Sequence, residues 1–480
     1  MWYPGRVSSG APGFFKSYRM LYSQGWLHRR GGALFDTMFK LAEHGTTVRR
    51  EIRAGLTTFL TMAYIIAVNP LILSQAGMPA DGVMAATCLA AALGSLLMGL
   101  LTNYPFALAP GMGLNAFFVY TVVIGMGVSW QGALAAVFVS GILFVLLTLT
   151  RAREAIVNAI PLPLKYSIGV GIGFFIALIG LKNAGLIVFH PGTGSLGLVD
   201  GRYFADPELQ SLLPHGASPA SVGVALFGLV TTAALVVRKV RGGLLWGIAA
   251  TTLAGIPFGV TGAVGTGIIA WPSGLGQTFL ALDFAELATH GLVAVVLTFT
   301  FVDLFDTTGT LVGLASKAGY LDDAGRLPRV RGALLADSLA TVGGALFGTS
   351  TTTTYIESAS GIADGGRTGL AAVTTAAMFL LALFFAPLIA HVPAVATAPV
   401  LIIVGVFMME PVTRIDFGDY GEGVPAFLTI AIMPLAFSIS EGIVAGVLAY
   451  TLLAVVRGRA SQVGVTLWLL SGVFVLRYFL

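Results

Sequence analysis

The sequence predicts an all-α polytopic membrane protein, with about 14 transmembrane helices in two inverted repeats of seven and broken helices at spans three and ten. Three observations predict it. Of 480 residues, 56% are hydrophobic and 10% charged; a soluble domain carries about 25% charged residues, so polar cover for a water-facing surface is missing. The apolar residues fall in long runs, such as Leu56 to Leu73, Val83 to Leu101 and Leu370 to Ile389. Each run can cross a hydrocarbon core about 30 Å thick. Finally, the runs are interrupted at corresponding places in the two halves of the chain.

In order, the stretches are 56–74, 83–101, 112–128, 132–150, 166–182, 221–237, 243–261, 292–315, 331–348, 351–364, 369–390, 397–410, 423–439 and 441–456. Several are too short to cross alone. Residues 1–45 then form an N-terminal cytoplasmic arm, 46–261 the first repeat and 262–291 an external inter-repeat segment. The second repeat is 292–456, and 457–480 is a closing apolar segment, interfacial or re-entrant, with a fifteenth crossing as the alternative. The start of the arm is expected to be disordered or interfacial, or to come from an upstream start, because its Arg and Lys surround no apolar core of signal-peptide length.

Charge placement tests the count, because cytoplasmic loops collect Lys and Arg. Arg49, Arg50 and Arg53 precede span one, which puts the N-terminus in the cytoplasm. From span four onward every second loop is then basic: Arg151 and Arg153; Arg238, Lys239 and Arg241; Lys317, Arg326, Arg329 and Arg331; Arg367; Arg414; Arg457 and Arg459. The intervening short loops carry neither Lys nor Arg. A wrong count would scramble this alternation downstream of the error. The net charge of +4 therefore reads as topology, not as a nucleic-acid surface. Cys88 is the single cysteine, which excludes an internal disulfide, and the six His form no pair at metal-ligand spacing.

The first break, "TNYPFALAPGMGLNAFF", is made by Pro105, Pro110, Gly111 and Gly113. The second, "GTSTTTTYIESASGIADGG", is a β-branched polar run before a short helix. Each falls at the third span of a seven-span half, and seven is odd, so the halves insert with opposite orientation. Interrupted segments at corresponding positions point to a midplane binding site. "GVGIG" at Gly169 to Gly173 resembles a phosphate loop, but it lies in an apolar span with no strand before it and reads as helix packing.

Asp303 and Asp306 lie mid-span in "LVAVVLTFTFVDLFDTTGTLVGLA", three apart and so on neighbouring parts of one helix face. Glu357 follows the second break. An ionised carboxylate at the bilayer centre costs about 3 to over 10 kcal/mol, so such groups face a cavity, pair with a cation or carry a proton. No Lys or Arg lies in a nearby span to pair with them, so the three acids read as a cation or proton site, or as acceptors for N–H donors. Asp303 taken alone also reads as the cap of a neighbouring half-helix. Asp337 in span nine reads equally as a helix contact or a functional acid. Asn115 offers a ligand both a donor and an acceptor, or makes a local turn bond. Phe117, beside the first break, is placed to stack on a planar ligand.

Four motifs in order, "GLTTFLTMAYIIAVNP", "NYPFALAPGMGLNAFF", "FVDLFDTTGTL" and "TSTTTTYIESASGI", resemble the AzgA-like hypoxanthine/guanine/adenine permeases, a branch of the nucleobase–ascorbate transporter superfamily. The resemblance runs from about Met38 to Val456. It implies a core domain of spans one to four and eight to eleven, a gate domain of the rest, and a homodimer in the cell membrane. It also implies proton symport of a purine nucleobase. Asp303, Asp306, Glu357, Asn115, Thr310 and Thr354 would bind the base, and Asp306 and Glu357 would couple the proton. No cofactor, metal, nucleic-acid partner or enzymatic activity is expected.

The alternatives are a uracil- or xanthine-type carrier, or an anion carrier of the same fold, which should have a basic or neutral residue where Asp306 stands. More remote are an ion channel and an intramembrane enzyme. A protease would need a Ser/His pair or a His-containing metal motif, which His290 and His391 near span ends do not form. The preferred purine and the carboxylate that carries the proton stay open; backbone atoms at Thr351 to Tyr355 are placed to decide the former.

Overall fold

The computed structural model describes residues 32–150, 161–190, 195–214, 217–262, 267, 269–289, 293–322 and 327–476. The first 31 residues of the N-terminal arm, His290, the loop residues Arg151, Arg153 and Arg326, and the last four residues lie outside it.

Ten described helices are long and apolar enough to cross a membrane: Val48–Ala76, Ala80–Thr102, Trp130–Leu149, Leu162–Asn183, Pro219–Val237, Val295–Ala315, Val330–Phe347, Gly369–Ala390, Ala394–Arg414 and Ile439–Val456. Three shorter apolar helices, Met112–Gly125, Gly243–Gly255 and Tyr420–Leu435, and the half-helix Ser358–Ala363 take the remaining places. Each of the fourteen expected spans thus has its helix, and the chain is an all-α polytopic membrane protein. The closing segment forms one more helix, Val465–Leu476.

Span one begins earlier than its hydropathy indicates. Its helix starts at Val48, with the Thr47 side chain capping the N–H of Arg50, so three arginines lie in the first turns. Glu51 explains the extension. Its fully buried carboxylate accepts Thr46 Oγ1 at 2.8 Å and the backbone N–H groups of Arg367 and Thr368 at 2.9 and 3.1 Å. The charge that looks like loop in the sequence therefore satisfies the backbone leading into span eleven, whose first N–H groups have no intrahelical partner. Span three starts as α-helix over Met112–Ala116 and continues as π-helix over Phe117–Gly125, a rare form that is frequent at functional sites.

Packing divides the spans into two bodies. Spans one to four and eight to eleven pack chiefly on one another, and spans five to seven and twelve to fourteen do the same. "GVGIG" is helix packing, as its sequence context predicts: Gly171 and Gly173 of span five lie against Met433 of span thirteen and Gly405 of span twelve. Between the repeats, residues 278–286 strap the ends of two core spans. Thr278 Oγ1 donates to the Phe347 carbonyl at 2.9 Å and Leu280 N to the Leu346 carbonyl at 2.8 Å. Glu286 accepts the Ser129 N–H at 2.8 Å.

The two breaks are short strands. β1 is Leu108–Pro110, β2 Ile187–His190, β3 Ser195–Leu198 and β4 Thr352–Thr354. β2 pairs antiparallel with β3 after span five, while β1 pairs antiparallel with β4 across the interior.

Candidate functional site

β1 and β4 meet with Leu108 opposite Thr354, Ala109 opposite Thr353 and Pro110 opposite Thr352. The Gly111 N–H donating to the Thr351 carbonyl and the Tyr355 N–H donating to the Ala107 carbonyl, both at 2.9 Å, extend the ladder. Non-helical backbone at membrane depth must have its polar groups satisfied by protein, and the outer edge of each strand is satisfied in the same way. Ser95 of span two binds both polar groups of Leu108, donating to its carbonyl at 3.1 Å and accepting its N–H at 2.9 Å. Thr341 of span nine does the same for Thr352, at 3.1 and 3.2 Å. Spans two and nine occupy equivalent places in the two repeats, so the inverted symmetry reaches individual hydrogen bonds.

Gly111 lies where the two tips meet. A Cβ there would stand 2.8 Å from Thr353 Cγ2 and 3.8 Å from Asp306 Oδ2. Asp306 therefore projects from span eight to the point where the two breaks meet, and it stays partly exposed. Asp303, one turn earlier, is fully buried and faces span nine, where Thr341 Oγ1 is 3.4 Å from Oδ2. Thr307 bridges the second break to span nine, with Oγ1 at 2.8 Å from Asp337 Oδ1 and 2.9 Å from Thr353 Oγ1. Thr310, four residues beyond Asp306, is partly exposed. Thr354 is 3% exposed, and its hydroxyl, like those of Thr351 and Thr352, has no hydrogen-bond partner among the described residues.

Glu357 immediately precedes the half-helix Ser358–Ala363 and is partly exposed. Its Oε1 accepts the phenol of Tyr64 at 2.6 Å. In the first break Asn115 is fully buried, and both ends of its amide are engaged. Its Nδ2 donates to Asn69 Oδ1 at 2.5 Å, and its Oδ1 accepts the Ser350 hydroxyl. Asn69 in turn donates to Thr87 at 2.6 Å and Thr349 at 2.9 Å. Phe117 is 2% exposed and stands edge-on to Phe299 at 4.9 Å, so its ring is packed inside the protein, not open for stacking.

Asp303, Asp306, Asn115, Thr354 and Glu357 thus come from spans three, eight and ten to one region around the paired tips, and Thr310 lies one turn beyond Asp306 on span eight. Asp306, Thr310 and Glu357 retain exposure, and Asp303, Asn115 and Thr354 are buried. Partly exposed carboxylates in a low-dielectric setting accept strong hydrogen bonds from N–H donors and can carry protons. Tyr64, Asn69, Thr307 and Ser350 belong to the same region without standing out in the sequence. Tyr64 and Asn69 lie inside "TMAYIIAVNP", where a polar group in an apolar span was the available signal.

The family profile of Xan_ur_permease, a permease family, matches residues 49–445. The adenine permease AdeP of Escherichia coli is 42% identical, over 93% of this chain and 96% of its own. The guanine/hypoxanthine permease PbuG of Bacillus subtilis is 44% identical, over 92% of this chain and 99% of its own. Among solved structures, the transmembrane domain of the cyanobacterial bicarbonate transporter BicA has the same fold, with a TM-score of 0.59 at 17% identity, over 83% of this chain and 97% of that one. With its profile match, its close relatives and the resemblance of its motifs in agreement, the chain belongs to the Xan_ur_permease family of membrane permeases.

Proposed function

We propose that the protein imports purine nucleobases (adenine, guanine or hypoxanthine) by proton symport. The observation that carries this reading is the placement of two partly exposed carboxylates, Asp306 and Glu357, beside the β1–β4 pair in the membrane interior. The two relatives at 42% and 44% identity, an adenine and a guanine/hypoxanthine permease, supply the substrate class. A carboxylate takes neighbouring purine N–H groups in charge-assisted bonds and penalises bases that lack them. Asp306 and Glu357 hold the base, with Thr310 at its edge. Asn115 fixes the tips through Asn69 and Ser350, and Asp303 and Thr354 are also buried. Asp306 or Glu357 takes up the proton, because neutralising a carboxylate removes the cost of moving its charge through the bilayer.

Transport proceeds in this reading by an elevator-like movement of spans one to four and eight to eleven against the other six. Dimers form through the second body, in the cell membrane, with the N-terminus in the cytoplasm. The test is uptake of labelled adenine, guanine and hypoxanthine by cells lacking their own purine permeases. Uptake that saturates and collapses with a protonophore is the expected result. No purine uptake by protein that demonstrably reaches the membrane would overturn the reading.

A further inference from the structure

The second break is held against span one by a stripe of residues that ends at Glu357. Gly361 of the half-helix lies directly on span one: a Cβ there would stand 2.1 Å from Thr58 Oγ1 and 2.6 Å from the Ala54 carbonyl. Thr61, one turn on, has its hydroxyl 3.4 Å from the Glu357 carbonyl. One further turn brings Tyr64, 1% exposed, with its phenol 2.6 Å from Glu357 Oε1. Tyr64 stands at the junction of the two helical segments of span one, Val48–Met62 and Ile65–Leu73. Positions 54, 58, 61 and 64 form one face of a helix, so the contact at Gly361 sets where the phenol meets the carboxylate.

We propose that Tyr64 is a positioning residue for substrate recognition: its phenol pins Oε1 of Glu357, fixing the carboxylate plane and leaving Oε2 to accept an N–H of the purine. The proposal rests on the reading of Glu357 as a ligand for the base. A carboxylate held by one fixed donor loses less rotamer freedom when a ligand arrives, which is the usual advantage of a pre-organised site. The buried phenol also needs an acceptor for its own hydrogen. A merely structural role would therefore place the whole effect of losing the hydroxyl in protein stability, whereas positioning places it in affinity.

The experiment is concentration-dependent purine uptake by Tyr64→Phe, with surface amount and thermal melting measured on the same protein. Loss of a hydrogen bond to a charged partner is expected to raise KM about tenfold while Vmax per transporter stays within about twofold. An unchanged KM overturns the proposal, whatever happens to stability. Should Tyr64→Phe not accumulate, 3,5-difluorotyrosine at position 64 keeps the ring and alters donor strength. A KM shift of about threefold or more then supports positioning, and no shift overturns it. Glu357→Gln separates the two layers of the argument. Wild-type KM in that variant removes Glu357 from the binding site, whereas lost affinity there with unchanged KM in Tyr64→Phe removes Tyr64 alone.

Discussion

The two broken helices share a backbone and differ in chemistry. Each offers a three-residue strand, a half-helix and a hydroxyl from a neighbouring span that binds both polar groups of one strand residue, Ser95 in one repeat and Thr341 in the other. In the first arm the polar side chain, Asn115, is fully buried and committed to Asn69 and Ser350. In the second arm Glu357 is partly exposed, with Tyr64 on one oxygen and Asp306 nearby on span eight. Inverted repeats fix geometry by symmetry; the division of labour between them is written in side chains. In the proposed reading the first arm holds the tips together, and the second meets the ligand.

The largest effect should come from the second arm. Asp306→Ala and Glu357→Ala are each expected to lower uptake about 100-fold or more at normal surface amounts, because a charged acceptor for the N–H donors of the base is lost. Transport surviving in either variant would break the comparison at its functional end. Gly111→Val should follow. Its Cβ enters the space of Thr353 Cγ2, 2.8 Å away, so purine binding should fall and the melting temperature with it. A smaller and different loss is expected from Asn115→Ala. Removing it leaves the Asn69 and Ser350 groups without their partner, a cost of about 1–3 kcal/mol in stability, while KM in the folded fraction changes less than about threefold. A tenfold rise in KM would move Asn115 into direct contact with the base.

The smallest effect belongs to the contact between the two bodies. Arg241, from the loop between spans six and seven, pairs at 2.5 Å with Asp364, which also accepts Thr57 Oγ1 at 2.6 Å. The arginine is 53% exposed, so the pair contributes about 1 kcal/mol or less to stability. In the proposed elevator movement it joins surfaces that slide past each other, so Arg241→Gln should change transport rate about twofold without changing KM. A change in KM alone would argue against relative movement of these surfaces.

The span count and the position of the breaks were legible because they depend on local composition: apolar run length, loop arginines, Pro105, Pro110 and the threonine run at 351–354. The start of span one was not, since Glu51 reads as a solvated charge until its partners at 367 and 368 are known. The same limit hid the interior of the site. Tyr64 and Glu357 are 293 positions apart, and Asn115 and Ser350 are 235 apart. Nothing in a single apolar span says which distant group will satisfy its one hydroxyl or amide. The acids could be found because an intramembrane charge is costly wherever its partner lies. The residues that hold them could not be assigned, because a lone Tyr, Ser or Thr in an apolar span is a weak signal that names no partner.

The central claim is that the base sits against the second arm. The most direct test is a structure of the protein with a saturating purine bound. The account predicts the base between the paired tips, with its N–H groups within hydrogen-bond distance of Asp306 and Glu357 and the Asn115–Asn69 pair intact behind it. A base held by Asn115 with Asp306 and Glu357 out of reach, or bound away from the tips, would contradict it.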